Sequence, residues 1–166
     1  MYTIISGTNR TGSNTIKIAE QYQQMLAEKG VTASLVSLEN LDVSERNVSI
    51  RDLEEKVLMA TEKFVIISPE YNGSIPGVLK SLIDNTDIQN VWWGKKALLT
   101  GISSGRAGNI RGMEHLTGIL HYVKVVVHPN KLPISVINTL LDKAGYIIQR
   151  ETLAAIDGQL NEFIRF

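Results

Sequence analysis

The run Gly7-Thr8-Asn9-Arg10-Thr11-Gly12-Ser13-Asn14-Thr15 crowds hydroxyls, backbone amides and a guanidinium into one short loop. It follows a short apolar stretch and precedes an amphipathic one, so it marks a helix N-terminus, where unpaired amides and the positive end of the helix dipole attract anions. Thr8, Arg10, Ser13, Asn14 and Thr15 are the candidate anion ligands, and Arg10 can add charge-assisted bonds. No lysine follows the second glycine, which excludes the nucleoside-triphosphate pattern, and the three-glycine dinucleotide fingerprint is also absent. A monophosphate fits better. A capped helix after a polar loop would account for Ser13 and Asn14 without any ligand, because serine and asparagine are common N-caps.

Two more loops carry unusual residues. Pro69-Glu70-Tyr71-Asn72-Gly73-Ser74-Ile75-Pro76-Gly77 offers a tyrosine, an asparagine and accessible backbone against which a flat heteroaromatic ring could lie. A tight turn followed by a Pro-initiated helix explains Gly73 and Pro76 but leaves Glu70, Tyr71 and Asn72 unexplained. Ser103-Ser104-Gly105-Arg106-Ala107-Gly108-Asn109 again joins a strand to a helix, so its amides and small side chains can line the same crevice, or simply make a flexible turn.

The elements that must position these loops alternate. Tyr2–Ser6 reads as a strand, and Ile16, Ala19, Tyr22, Met25 and Leu26 recur at helical spacing, with Ser13 or Asn14 as cap and Gly30 as stop. Residues 32–38 alternate like a second strand, and Ser49 could cap a helix with Leu53, Val57 and Ala60 inward. Phe64–Ser68 is the continuous apolar run of a strand buried on both faces, Pro76 suits the first turn of the next helix, and Lys96–Ile102 returns as a fourth strand. A helix with Ile110, Met113, Leu116 and Leu120 inward precedes a fifth strand, Val123–Val127. Residues 128–150 read as irregular or a hairpin, and Leu153, Ile156, Leu160 and Phe163 mark a closing helix. Strand and helix in alternation predict an α/β fold, a three-layer α/β/α sandwich on a five-stranded parallel sheet, in which ligands sit beyond the carboxyl ends of the strands.

Composition narrows the chemistry. The chain of 166 residues is 43% hydrophobic and 20% charged, as expected of one globular domain spanning residues 1–166. Seventeen basic residues balance seventeen acidic ones, so no charge surplus favours nucleic acid or an anionic membrane. Cysteine is absent, which excludes disulfides, thiolate metal sites and a cysteine nucleophile. His115, His121 and His128 lack metal-ligand spacing, so no metal is expected. No apolar run approaches the ~20 residues that span a bilayer, and a cytoplasmic protein is the expectation.

These residues place the chain close to a known family. Ser6 through Asn14, Pro69 through Lys80 with Asp84, Gly94-Lys95, and Ser103 through Gly108 together resemble the NADPH-dependent FMN reductases, flavodoxin-like enzymes that include quinone, chromate and azo-dye reductases. The resemblance covers nearly the whole chain and implies strand order 2-1-3-4-5. It also implies that Thr8, Arg10, Ser13, Asn14 and Thr15 hold the FMN phosphate, while Pro69, Glu70, Tyr71, Asn72 and Gly73, with Ser103, Ser104, Gly105, Arg106 and Gly108, flank the isoalloxazine. Lys80 and Asp84 would be framework, and the protein would be a homodimer or homotetramer, with the helix of residues 77–87 and Trp92-Trp93, which read as core or subunit contacts, as interface. Two departures stand out: Glu39–Ser49 lacks the family's proline-rich stretch, and Asn109-Ile110-Arg111 replaces small residues.

The resulting expectation is an oxidoreductase passing hydride from NADPH or NADH through FMN to a small-molecule acceptor: free flavin, quinone, azo compound or metal oxyanion. No catalytic side chain is required, and Arg106 could meet the nicotinamide cofactor's phosphate. Two alternatives share the fold: a flavodoxin-type electron carrier, which ordinarily displays a strong charge patch, and a cofactor-free binding module, which would retain no flavin.

Overall fold

The computed structural model describes residues 1–166. In chain order they form β1 (Tyr2–Ser6), α1 (Asn14–Glu28), β2 (Ala33–Ser37), α2 (Val48–Leu53), β3 (Lys63–Pro69), α3 (Gly77–Asp84), β4 (Lys96–Ile102), α4 (Ile110–Tyr122), β5 (Val126–Val127), β6 (Leu132–Ile134) and α5 (Arg150–Arg165). The sheet is parallel throughout, in the order β2-β1-β3-β4-β5, with β6 also pairing β4. This is the expected order, with one minor strand added.

Because successive side chains of a strand point to opposite faces, the apolar runs divide between two cores. Ile5, Phe64, Ile66, Ala97 and Leu99 face α2, α3 and α4, whereas Ile4, Val65, Ile67 and Leu98 face α1 and α5. Burial on both faces is what makes these strands apolar without polar alternation. No helix is long and apolar enough to cross a membrane.

Several local details differ from the sequence expectations. Asn47 rather than Ser49 caps α2, its side-chain oxygen accepting from the Ile50 amide at 3.0 Å. The helix then widens into a π turn, Glu54–Leu58, and this change of phase buries Ile50, Glu54 and Leu58 while Ala60 is exposed. Pro76 is extended and stands just outside α3. Ile110 is 51% exposed, and the buried face of α4 begins at Gly112 and Met113. Trp92 is core: its indole nitrogen donates to Thr86 Oγ1 at 2.9 Å and its ring lies 4.9 Å from that of Phe64. Only Trp93, half-exposed beneath Lys124, remains available to an interface.

The fifth strand position differs most. The continuous strand expected over Val123–Val127 is reduced to two paired residues, beside Lys96 and Ala97, and β6 then takes over beside Thr100–Ile102. The interruption holds Pro129, which has no N–H for a ladder. Gln159 of α5 fills the gap: its buried side-chain amide donates to the carbonyls of Leu99 and Asn130 at 3.0 and 2.9 Å. After β6 the chain makes a 3-10 turn, Ile137–Thr139, and a single antiparallel bridge between Leu141 and Ile147, so the segment is mostly irregular with one short hairpin contact.

Candidate active site

The loops after β1, β3 and β4 leave one edge of the sheet. Gly7 begins the first, its amide donating to the Ile67 carbonyl at 2.8 Å. A Cβ at this position would lie 2.9 Å from that oxygen and 3.0 Å from Leu79, so glycine is what lets the loop turn so close to β3. Ser13 caps α1 by accepting from the Ile16 amide at 3.3 Å. Thr8 Oγ1 and Tyr71 Oη share a hydrogen bond of 2.7 Å, and the Arg10 guanidinium lies 4.3 Å from the centroid of the Tyr71 ring. These two contacts join the first loop to the second.

The second loop is a tight hairpin. Tyr71 and Ser74 exchange backbone hydrogen bonds of 2.9 and 3.1 Å around Asn72 and Gly73, both with positive φ, 51° and 79°. Asparagine and glycine are the residues that such a turn accepts. In the third loop the Ser103 hydroxyl donates to the Gly105 carbonyl and accepts from the Gly108 amide, each at 2.9 Å. Buried Asn109 donates to the Ser68 carbonyl at 2.9 Å, which ties the start of α4 to the end of β3. Asn109 is therefore a brace between the end of the third loop and the strand that leads into the second.

Together the loops enclose an open cleft of about 360 Å³, in the range of small-molecule sites. It brings together Thr8, Arg10, Ser13, Asn14, Thr15, Pro69, Glu70, Tyr71, Ser103 and Ser104. Asn72, Gly73, Gly105, Arg106 and Gly108 lie outside its wall. Asn72 and Gly73 form the hairpin tip, and Gly108 is set by packing, since a Cβ there would lie 2.7 Å from Pro133. The wall also holds Thr11, Gly12 and Ile102, chain neighbours of predicted ligands, and two residues from a segment that was not anticipated, Ile137 and Asn138. These two come from the segment after β6, whose composition carries no ligand signature.

Arg10 is the one cation on the wall and Glu70 the one carboxylate, and no ion pair in the protein involves Arg10, Arg106 or Arg111. Lys80 and Asp84 pair with each other along α3, at a distance of 2.6 Å, as framework. His115 meets Ser74 Oγ at 2.9 Å, and His128 is buried edge-on to Phe163 and Phe166. No cluster of side chains has the makings of a metal site. The ionisations that the fold displaces lie away from the cleft: burial pushes the Tyr22 phenol up, and hydrogen bonds from Ser44, Asn90 and Lys29 hold Asp42, Asp87 and Asp157 below the usual carboxylate range.

Against known proteins, residues 2–138 match the NADPH-dependent FMN reductases. The chain belongs to that family. It is 27% identical over 172 residues to a quinone reductase of Escherichia coli, covering 96% of this chain and 91% of the relative. It is 34% identical over 92 residues to a 2-hydroxy-1,4-benzoquinone reductase of a Burkholderia species, a match spanning 53% of this chain and half of that relative. Among solved structures, the flavoenzyme NAD(P)H:(acceptor) oxidoreductase of Paracoccus denitrificans superposes with a TM-score of 0.79 at 22% identity, over 99% of this chain and 94% of that one, a likeness of fold. The protein is thus a flavodoxin-like NAD(P)H-dependent flavin oxidoreductase, with FMN as cofactor, NAD(P)H as donor and a small molecule as acceptor.

The donor chemistry of the cleft fits FMN. Ser13 occupies only one of the free amides at the start of α1, and Arg10, stacked on Tyr71, is not neutralised by any carboxylate. A flavin phosphate therefore finds amides, hydroxyls and one cation at this rim, the set that a helix N-terminus presents to a phosphate.

Proposed function

We propose that this reductase uses NAD(P)H to reduce a quinone-type acceptor at the cleft formed by its first, second and third loops. The observation that carries the reading is the junction of Thr8, Arg10 and Tyr71, which places an unpaired cation at a helix N-terminus beside an aromatic ring. Thr8, Arg10, Ser13, Asn14 and Thr15 would hold the phosphate, with the amides of α1 and the Arg10 guanidinium opposing its charge. Pro69, Glu70 and Tyr71 on one side, and Ser103 and Ser104 on the other, would flank the ring system. FMN, when bound, supplies the hydride chemistry. The chain's own residues would orient the donor and the acceptor, and Arg106, exposed on the third loop, would meet the nicotinamide cofactor's phosphate.

The choice of a quinone follows the printed activities of the Escherichia coli and Burkholderia relatives. The test is to reduce the FMN-loaded protein anaerobically with NADPH and mix it with 1,4-benzoquinone, free FMN or an azo dye. Reoxidation fastest with the quinone is the expected result, and reoxidation no faster than with the other two would contradict it. Residues 1–166 would act as one FMN-binding unit in the cytoplasm, as a homodimer or homotetramer. The half-exposed Ile88 and Trp93 and the 86% exposed Tyr122 give the α3–α4 side apolar surface for such contacts, and sedimentation of the purified protein tests this.

A further inference from the structure

The Ile137–Asn138 wall is built at a conformational cost. Val136, immediately before it, has φ 44° and ψ 41°, a left-handed conformation that crowds a β-branched side chain and that glycine or asparagine ordinarily occupies. Its amide donates to the Gly105 carbonyl at 2.9 Å, and the Ile137 amide donates to the Ser103 carbonyl at 3.0 Å. The turn is thus fastened to the third loop, and the third loop in turn to β6, through the Ser103 amide and the Ile134 carbonyl at 3.0 Å. The consequence is that Asn138 reaches the opposite side of the cleft, where its Oδ1 accepts from Asn14 Nδ2 at 3.2 Å, at the first residue of α1. Asn138 is exposed, so this reach serves no buried core. Strain at such a position persists when the surroundings hold it, and here the two amide bonds to the third loop hold it.

We infer that Asn138 is a further FMN-binding residue, acting on the phosphate side of the site, and that the left-handed turn at Val136 is what positions it. This rests on the FMN site proposed above. The side-chain amide of Asn138 has donors as well as an acceptor, so it can bond a phosphate oxygen while it holds Asn14 in place at the helix N-terminus.

The test is a fluorescence titration of FMN, and separately of riboflavin, which lacks the phosphate, into the flavin-stripped full chain. Asn138→Ala is expected to weaken FMN binding about tenfold, as for loss of one bond to a charged group, with riboflavin affinity unchanged. Equal FMN affinity in variant and wild type would overturn the inference, as would equal weakening of FMN and riboflavin. Val136→Pro, which cannot adopt the positive φ and lacks the amide that bonds the Gly105 carbonyl, is expected to weaken FMN binding several-fold with riboflavin affinity retained, whereas Val136→Gly, which adopts the turn without strain, is expected to keep wild-type FMN affinity; undiminished FMN affinity in Val136→Pro would overturn the positioning role. A wild-type chain that binds neither flavin would instead remove the FMN site itself.

Discussion

Arg46 and Arg10 occupy contrasting regions. Arg46 lies over the π turn after α2, where it makes bidentate contact with Glu54, a carboxylate with only 1% of its side chain exposed, and also reaches Asp87. Glu54 further accepts from the Asp87 amide, so Arg46, Glu54 and Asp87 form one connected charge cluster, and the hydrogen bond to Glu54 holds the Arg46 guanidinium protonated more firmly. Arg10 has no anionic partner at all and rests on the ring of Tyr71 at the mouth of the cleft. The contrast is between a buried charge that the fold neutralises internally and a charge at the cleft mouth that it leaves available to a ligand.

The largest effect should come from breaking the saturated region. Glu54→Ala leaves the Asp87 amide unpartnered and the Arg46 guanidinium without its anchor, and should destabilise the fold by about 3 kcal/mol, measured by urea unfolding, with FMN affinity preserved. Arg10→Ala should do the reverse. Its unfolding midpoint should stay at the wild-type value while FMN binding weakens about ten- to hundredfold by fluorescence titration, because a charge-assisted contact to phosphate is lost.

The same contrast applies to two tyrosines, with smaller effects. The Tyr22 hydroxyl is fully buried between Thr100 and Gln159, at 2.8 and 3.0 Å, whereas that of Tyr71 meets Thr8 at the cleft. Burial raises the Tyr22 pKa above its ordinary 10.0, so the phenol stays protonated in the folded state while the unfolded chain ionises first. The stability Tyr22 contributes is therefore complete below pH 10 and lost progressively as pH rises above it. Tyr22→Phe should cost about 1 kcal/mol at neutral pH and flatten this alkaline loss, seen in unfolding curves from pH 8 to 11. Tyr71→Phe should leave stability unchanged and weaken FMN binding only a few-fold.

Local chemistry explains what was legible in the sequence. The capped start of α1, the Asn72-Gly73 hairpin and the apolar runs of β3 and β4 depend on neighbours in the chain, and residue type announces them. Thr8, Arg10 and Tyr71 were found for the same reason: each sits in a loop that the strand pattern sends to the carboxyl edge. Ile137 and Asn138 were not legible, because their place depends on the handover from β5 to β6 along β4, a distant pairing that no local pattern encodes. For Trp92-Trp93, read as core or subunit contacts, the sequence left open which ring is which, because the burial of Trp92 depends on its contacts with Thr86 and Phe64.

The most direct measurement is an absorption spectrum of the purified protein, reconstituted with FMN, desalted, and followed anaerobically after addition of NADPH. The account predicts retained flavin bands at ~450 nm that bleach within seconds in the wild type, and loss of these bands on desalting in Arg10→Ala. Flavin that is retained but stays oxidised in the presence of NADPH, or Arg10→Ala protein that keeps its flavin as firmly as wild type, would contradict it.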